Sequence, residues 1–236
     1  MDKVKDEIFG TRKKWLKSIL DTNNIEYIEN IWVATCRSQI NSDKLSRYAV
    51  FLEVESYQII DIIQPSIPVY YVNFTEDENV QFKNLRDGRD ALIAHDLFIK
   101  GLVKKMQCEY LPSSGALKND TKNFSNFFRS RMGKGFSLTD IDYLILSNNI
   151  LCEEKNYIEN NNILLGLGQY LSYSEVLNDI FVNSKLIMLA KNDNKFYFSE
   201  IETVTNAKWF QHSKWGKMVA FPCAMIDKQF LLKKLK

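Results

Sequence analysis

Between Thr139 and Lys155 the chain reads TDIDYLILSNNILCEEK. Two aspartates open an apolar run, Ser147-Asn148-Asn149 interrupts it, and a second apolar run ends in Glu-Glu-Lys. A segment of this kind has few ways to fold. The polar triplet is a turn, and the flanking runs have the length and character of strands. The stretches YLIL and NILC are too apolar for a hairpin lying in water, so the hairpin belongs in a covered sheet. Alternation along the second strand puts Leu151, Glu153 and Lys155 on one face, with Ile150, Cys152 and Glu154 on the other. The hairpin can then carry Asp142 close to Glu153 and Lys155, so that two carboxylates and an ammonium converge at one end of the sheet.

Packed carboxylates repel one another and resist dehydration, which makes this a costly arrangement for a core. A divalent cation resolves the cost. Mg²⁺ takes hard oxygen ligands and keeps several waters, so one or two carboxylates and a substrate phosphate suffice to hold it. Such an ion polarises the phosphate and helps generate hydroxide from bound water, and a neighbouring lysine stabilises the developing charge. The chemistry this pattern points to is phosphodiester hydrolysis. The alternative is a hairpin with charged, solvated ends, and the apolar runs argue against it.

An aspartate, a short hairpin and then Glu-x-Lys resembles the signature of the PD-(D/E)XK, or restriction-endonuclease-like, nuclease superfamily. The resemblance implies that Asp142 is the metal-binding aspartate, Glu153 the second acidic ligand and Lys155 the catalytic lysine. Asp140 competes with Asp142 for the first position, because hairpin length varies within the superfamily. The proline that names the motif is absent, and Thr139 or Ile141 stands in its place. Downstream, Gln169-Tyr170-Leu171-Ser172-Tyr173 resembles the Gln-x-x-x-Tyr motif of the RecB-like branch. Positions i and i+4 share a helix face, so Gln169 and Tyr173 can act together. In that branch this helix packs beside the active site. The resemblance covers residues 130–202, about a third of the chain. It implies an α/β, restriction-endonuclease-like fold in which a central mixed sheet is flanked by helices. It also implies Mg²⁺ as cofactor, with Mn²⁺ able to substitute, and DNA as partner. Within this class the expectation is an endonuclease of restriction or defence type. A RecB-like exonuclease and an inactive nucleic-acid-binding or assembly protein are the alternatives.

The rest of the chain adds context. Its 236 residues suit one large domain or a domain with an appendage. A net charge of +2 confines any contact with an anionic polymer to local patches. The four cysteines have no CxxC spacing, so the expectation is free buried thiols in a cytosolic protein. The opening MDKVKDEIFG lacks a signal-peptide segment, and no apolar run has membrane-spanning length. Residues 1–80 read as an N-terminal helix (3–21) and a β-rich extension for recognition or dimerisation, and residues 81–236 as the nuclease core. A homodimer would present two active sites to two strands. IEYIENIWVATC, YAVFLEVES, YQIIDIIQ and PVYYVNF suggest an antiparallel meander, and TEDENVQ an acidic loop. The stripe Leu92, Ile99, Val103 and Met106 predicts a helix over 83–107, and residues 111–123 read as a polar loop. A second helix is expected over 169–181. Strands follow at KLIMLAK, at KFYFSEI and near MVAFP.

Several further side chains are candidates. FRSRMGKGF places Arg129, Arg131 and Lys134 just before the first hairpin strand, where they could grip phosphates. The cluster Arg12-Lys13-Lys14 reads as a solvated helix face. His95 and Asp96 could complete a metal site from an upstream helix, although a lone histidine on an apolar helix is more often a core residue. Glu154 and Glu159 read as solvated or outward-facing rather than as metal ligands, and Glu175 as part of an exposed helix face. His212, with Trp209, Trp215, Lys208 and Lys214 around it, could belong to a nucleic-acid-contacting patch. The competing reading packs both indoles in the core.

Overall fold

A computed structural model describes residues 15–36, 47–74, 80–88, 90–93, 136–156, 158–192, 195–201 and 208–236. The expected hairpin is present as β6 (Phe136–Ile145) and β7 (Ile150–Lys155), paired antiparallel from Ile145–Ile150 to Tyr143–Cys152. Asn149 closes the turn with a φ of 55°, a left-handed conformation that asparagine tolerates. Both strands are central. β1 (Tyr27–Cys36) pairs antiparallel with β6, and β9 (Lys185–Asn192) runs parallel to β7. Helix α2 (Leu167–Asp179) lies between β7 and β9 in the chain, as a parallel connection requires.

The remaining strands of the large sheet are β2 (Tyr48–Leu52), β3 (Val69–Phe74), β4 (Val80–Asn84), β5 (Asp90–Ile93), β10 (Lys195–Ile201) and β13 (Ala224–Ile226). Ten strands form one mixed sheet in the order β13-β10-β9-β7-β6-β1-β2-β3-β4-β5. Strands from both sides of residue 80 therefore share it. A second, three-stranded sheet joins β11 (Trp209–His212), β12 (Gly216–Pro222) and β8 (Asn162–Gly166).

Adjacent residues of β7 enter different cores, as alternation demands. Leu151 joins a cluster with Tyr170, Tyr173 and Val176 of α2 and with Leu165 and Val219 of the small sheet. Cys152 joins Leu16 and Leu20 of α1 (Trp15–Thr22) and Leu231 and Leu235 of α3 (Lys228–Leu235). On both of these helices the buried leucines are four residues apart, one helical turn. The molecule is thus an α/β protein with a large mixed sheet and helices on both faces. No described helix is long and apolar enough to cross a membrane.

Several expectations are corrected. Residues 83–84 belong to β4 and 90–93 to β5, where a helix was expected. The two strands pair around a turn in which Gly88 takes a φ of 66°. The Arg86 guanidinium donates to the carbonyls of Ile63, Gln64 and Ile67, tying that turn to the preceding loop. Val80 and Gln81 of the expected acidic loop also lie in β4. QIIDI forms a 3₁₀ turn (Gln58–Ile62) rather than a strand, and it connects β2 to β3 as parallel neighbours, so the meander is not wholly antiparallel. Cys36 is disulfide-bonded, while Cys152 and Cys223 are free. Widely separated cysteines carry no spacing signal, because only the fold brings two Cα atoms within bridging reach. Residues 3–14, 94–107 and 111–123 lie outside the described residues. So do His95, Asp96, Arg129, Arg131 and Lys134.

Candidate active site at the hairpin end

Glu153 and Lys155 project from the same face of β7 toward α2. Lys155 Nζ lies 2.6 Å from Glu153 Oε1 and 3.5 Å from Gln169 Oε1. Gln169 Nε2 donates to Glu153 Oε1 at 3.0 Å and to the Tyr173 hydroxyl at 2.7 Å. The Tyr173 hydroxyl is 2.6 Å from Glu153 Oε2 and 2.9 Å from the main-chain carbonyl of Asp140. A phenol has one proton, and the shorter contact to a carboxylate takes it. The Asp140 carbonyl oxygen is then a second acceptor facing the same point.

The network is buried at its Glu153–Tyr173 end and partly open at Lys155 and Gln169. Glu153 is 1% exposed and Tyr173 is fully buried. A buried carboxylate is tolerable when paired and hydrogen-bonded, and Glu153 receives an ammonium, an amide and a phenol. Burial, followed by the negative charge of Glu153, Asp140 and Asp142, raises the Tyr173 phenol well above its ordinary value, so it remains a donor. Those three carboxylates therefore bear electrostatically on one hydroxyl. Burial and the charges of Asp142 and Glu153 likewise push the Cys152 thiol up.

Asp142 stands one position beyond the last hairpin pair, and its Oδ2 accepts the Glu154 main-chain N–H at 2.8 Å. The ladder on the other side of β6 is broken at the same residue. Asn30 adopts a φ of 56°, and the β1–β6 ladder skips the Asn30–Asp142 step. Ile28 and Ile31 enter the same core cluster, as do Leu144 and Ile141, although simple alternation would separate each pair. Both strands slip phase at this step, while the Asp142 carboxylate turns to β7 on the other side of β6. Local breaks of this type re-aim side chains at the ends of sheets.

The structure thus gathers Glu153, Lys155, Gln169 and Tyr173 in one network. Asp140 joins through its carbonyl, and Asp142 is anchored at the adjoining main chain. Among the described residues, no three His, Cys, Asp or Glu side chains form a ready metal cage. A magnesium site needs fewer, since waters and phosphate complete the shell. The oxygens of Glu153, Asp142 and the Asp140 carbonyl are of the kind such an ion takes; Glu153 Oε1 now accepts from Lys155 and Gln169, Glu153 Oε2 from Tyr173, and Asp142 Oδ2 from the Glu154 main-chain N–H.

Glu154 corrects another expectation. It is buried rather than solvated, and its carboxylate accepts the main-chain N–H groups of Trp15 and Leu16 at 3.1 and 3.3 Å. Two successive N–H groups donating to a side chain mark the first turn of a helix, and the anion there complements the helix dipole. Alternation placed Glu154 opposite Glu153, but nothing local to it announced the helix waiting on that side. Another cluster left no mark in the sequence. Tyr48 donates to Asp179 Oδ2 at 2.7 Å, and Arg47 lies 3.4 Å from the same oxygen. Glu159, also read as solvated, reaches His212 Nε2 at 3.2 Å, and Glu175 is exposed as expected. The chain matches no family model, no curated protein and no solved structure.

Proposed function

We propose that this protein is a divalent-cation-dependent nuclease of PD-(D/E)XK type that hydrolyses phosphodiester bonds in DNA. The observation that carries the reading is the Glu153–Lys155 pair, with its carboxylate buried and held by Gln169 and Tyr173 of α2, and with Asp142 at the adjoining hairpin step. All the side chains named by the resemblance are chemically competent, and they come from the β6–β7 hairpin and from α2, with β8 of the small sheet between them in the chain. The acidic oxygens of Glu153 and Asp142 would hold a magnesium or manganese ion, with the Asp140 carbonyl a further donor. When bound, that ion supplies Lewis-acid polarisation of the phosphate and a water of lowered pKa.

The remaining work falls to the chain itself. Lys155 offers an ammonium that orients the attacking water and balances charge developing on the phosphate. Gln169 and Tyr173 fix the Glu153 carboxylate in one rotamer by donating to both of its oxygens. Walls of Leu151, Tyr173 and Val176 exclude bulk water and strengthen each of these interactions.

Cleavage of plasmid and linear DNA with Mg²⁺ or Mn²⁺ tests the reading. The wild type is expected to cut, with cleavage abolished by chelation. Glu153→Ala and Lys155→Ala are each expected to lower the rate by roughly a hundredfold or more, with folding checked by circular dichroism. Undiminished cutting by both variants would remove the assignment. Circular and end-blocked substrates separate the favoured endonuclease from an exonuclease. DNA binding without cleavage under all these conditions would favour the inactive assembly protein.

A further inference from the structure

The hairpin of β11 and β12 gathers exposed aromatic rings and lysines on one short segment. Trp209 is 50% exposed, and Phe210 and Trp215 are each 40% exposed. The core-packing reading of the two indoles is therefore set aside. Lysines lie over the rings. Lys217 Nζ is 4.6 Å from the centre of the Trp209 ring, and Lys214 Nζ is 5.4 Å from the Trp215 ring. Residues 208–217 contain three lysines and no aspartate or glutamate. This short segment thus holds more net positive charge than the whole chain, which carries +2.

The hairpin is anchored through His212. His212 Nδ1 accepts the main-chain N–H groups of Lys214 and Trp215 at 3.0 and 3.2 Å. With Nδ1 an acceptor, the proton sits on Nε2 and points to Glu159 Oε2 at 3.2 Å. The His212 ring also stacks on Trp215, with centroids 4.5 Å apart and planes 13° from parallel. Gly216, at a φ of 80°, completes the turn. Glu159 lies four residues after Lys155, so this anchor fastens the hairpin to the segment running from Lys155 to Gln169.

Register ties the hairpin to β8, the strand that leads directly into α2. Trp209 pairs with Val219, and Val219 pairs with Leu165. Directly opposed residues share a face, so these three form one row across the small sheet. Leu165 and Val219 are buried against α2, and Trp209 continues their row past the edge of that core. Two interstrand spacings, about 10 Å, separate its backbone from that of Leu165, which lies four residues before Gln169.

We propose that this hairpin is a stacking platform for an unpaired nucleic-acid strand, which it delivers to the Glu153–Lys155 site. An exposed indole offers a face to any base, and lysines lying on that face can swing to the flanking phosphates. A paired duplex hides its base faces and gains only the lysine contacts. The inference rests on the nuclease reading for its purpose, but not for its test.

Binding is measured in chelator, so no cleavage is needed. The probe is a labelled oligothymidylate of about twelve nucleotides, followed by fluorescence anisotropy and by quenching of tryptophan emission. The same sequence as a duplex is the control. The expected result is tighter binding of the single strand, weakened roughly tenfold by Trp209→Ala and largely kept by Trp209→Phe. Lys217→Gln should flatten the salt dependence of binding. Circular dichroism checks that the variants are folded. Equal affinity of wild type and Trp209→Ala, equal affinity for duplex, or no oligothymidylate binding by the wild type would each overturn the platform. Intact binding in a protein that never cleaves would overturn the nuclease reading and leave the platform standing.

Discussion

At the residue scale, Tyr173 has the most tightly constrained chemistry. Its hydroxyl donates to a carboxylate that water does not reach, and removing it leaves Glu153 Oε2 short of a donor. Tyr173→Phe is expected to cost about 1–3 kcal/mol of stability in urea denaturation. Cleavage should fall as Glu153 loses its fixed rotamer. Burial raises the phenols of Tyr48, Tyr143 and Tyr173 above their ordinary value. A group whose pKa is higher folded than unfolded contributes stability in full below its unfolded value. That contribution declines once pH passes about 10, where the unfolded chain releases the proton and the native state retains it. Absorbance of the phenolate band is expected to show these tyrosines ionising only as the circular dichroism of the fold disappears. A titration in which all tyrosines ionise with the fold intact would contradict the buried network.

At the element scale, β7 spends consecutive glutamates on opposite tasks. Glu153 faces α2 and the candidate site, while Glu154 faces α1 and holds its first turn. Glu154→Ala is therefore expected to lower stability by about 1–3 kcal/mol, through two orphaned N–H groups and a lost helix-terminal anion. Its catalytic effect should be small beside that of Glu153→Ala. Urea titration and a cleavage assay on the two variants separate the roles. If Glu154→Ala removed activity while leaving stability untouched, the division of labour would be wrong. The same strand shows how far local reading reaches. Alternation put Glu153 with Lys155, and helical spacing put Gln169 with Tyr173, because each rule concerns neighbours along one element. The identity of what covers each face is a property of other elements and is written elsewhere in the chain.

At the scale of the whole molecule, the large sheet does not respect a boundary near residue 80. β1 lies between β2 and β6, and its ladder with β6 runs from Tyr27–Ile145 to Cys36–Phe136. A fragment of residues 81–236 would expose the β6 edge and strip away Ile28, Ile31 and Val33 from the main core. That fragment is expected to lack a cooperative unfolding transition and dispersed amide NMR resonances. A well-folded, active fragment would show that residues 1–80 are an appendage after all.

The sequence by itself determined the hairpin, its turn, the helix after it, and the pairing of Glu153 with Lys155 and of Gln169 with Tyr173. These follow from periods of two and 3.6 residues and from turn chemistry, which act over a few positions. Tertiary structure alone decided the rest. A stripe beginning at Leu92 suggested a helix over 83–107, yet residues 83–84 and 90–93 pair as strands around the Gly88 turn. Cys36 acquired a disulfide that no spacing foretold. Asp142 meets a break in its ladder with β1 at a left-handed Asn30 more than a hundred positions earlier, a neighbour that only the sheet supplies.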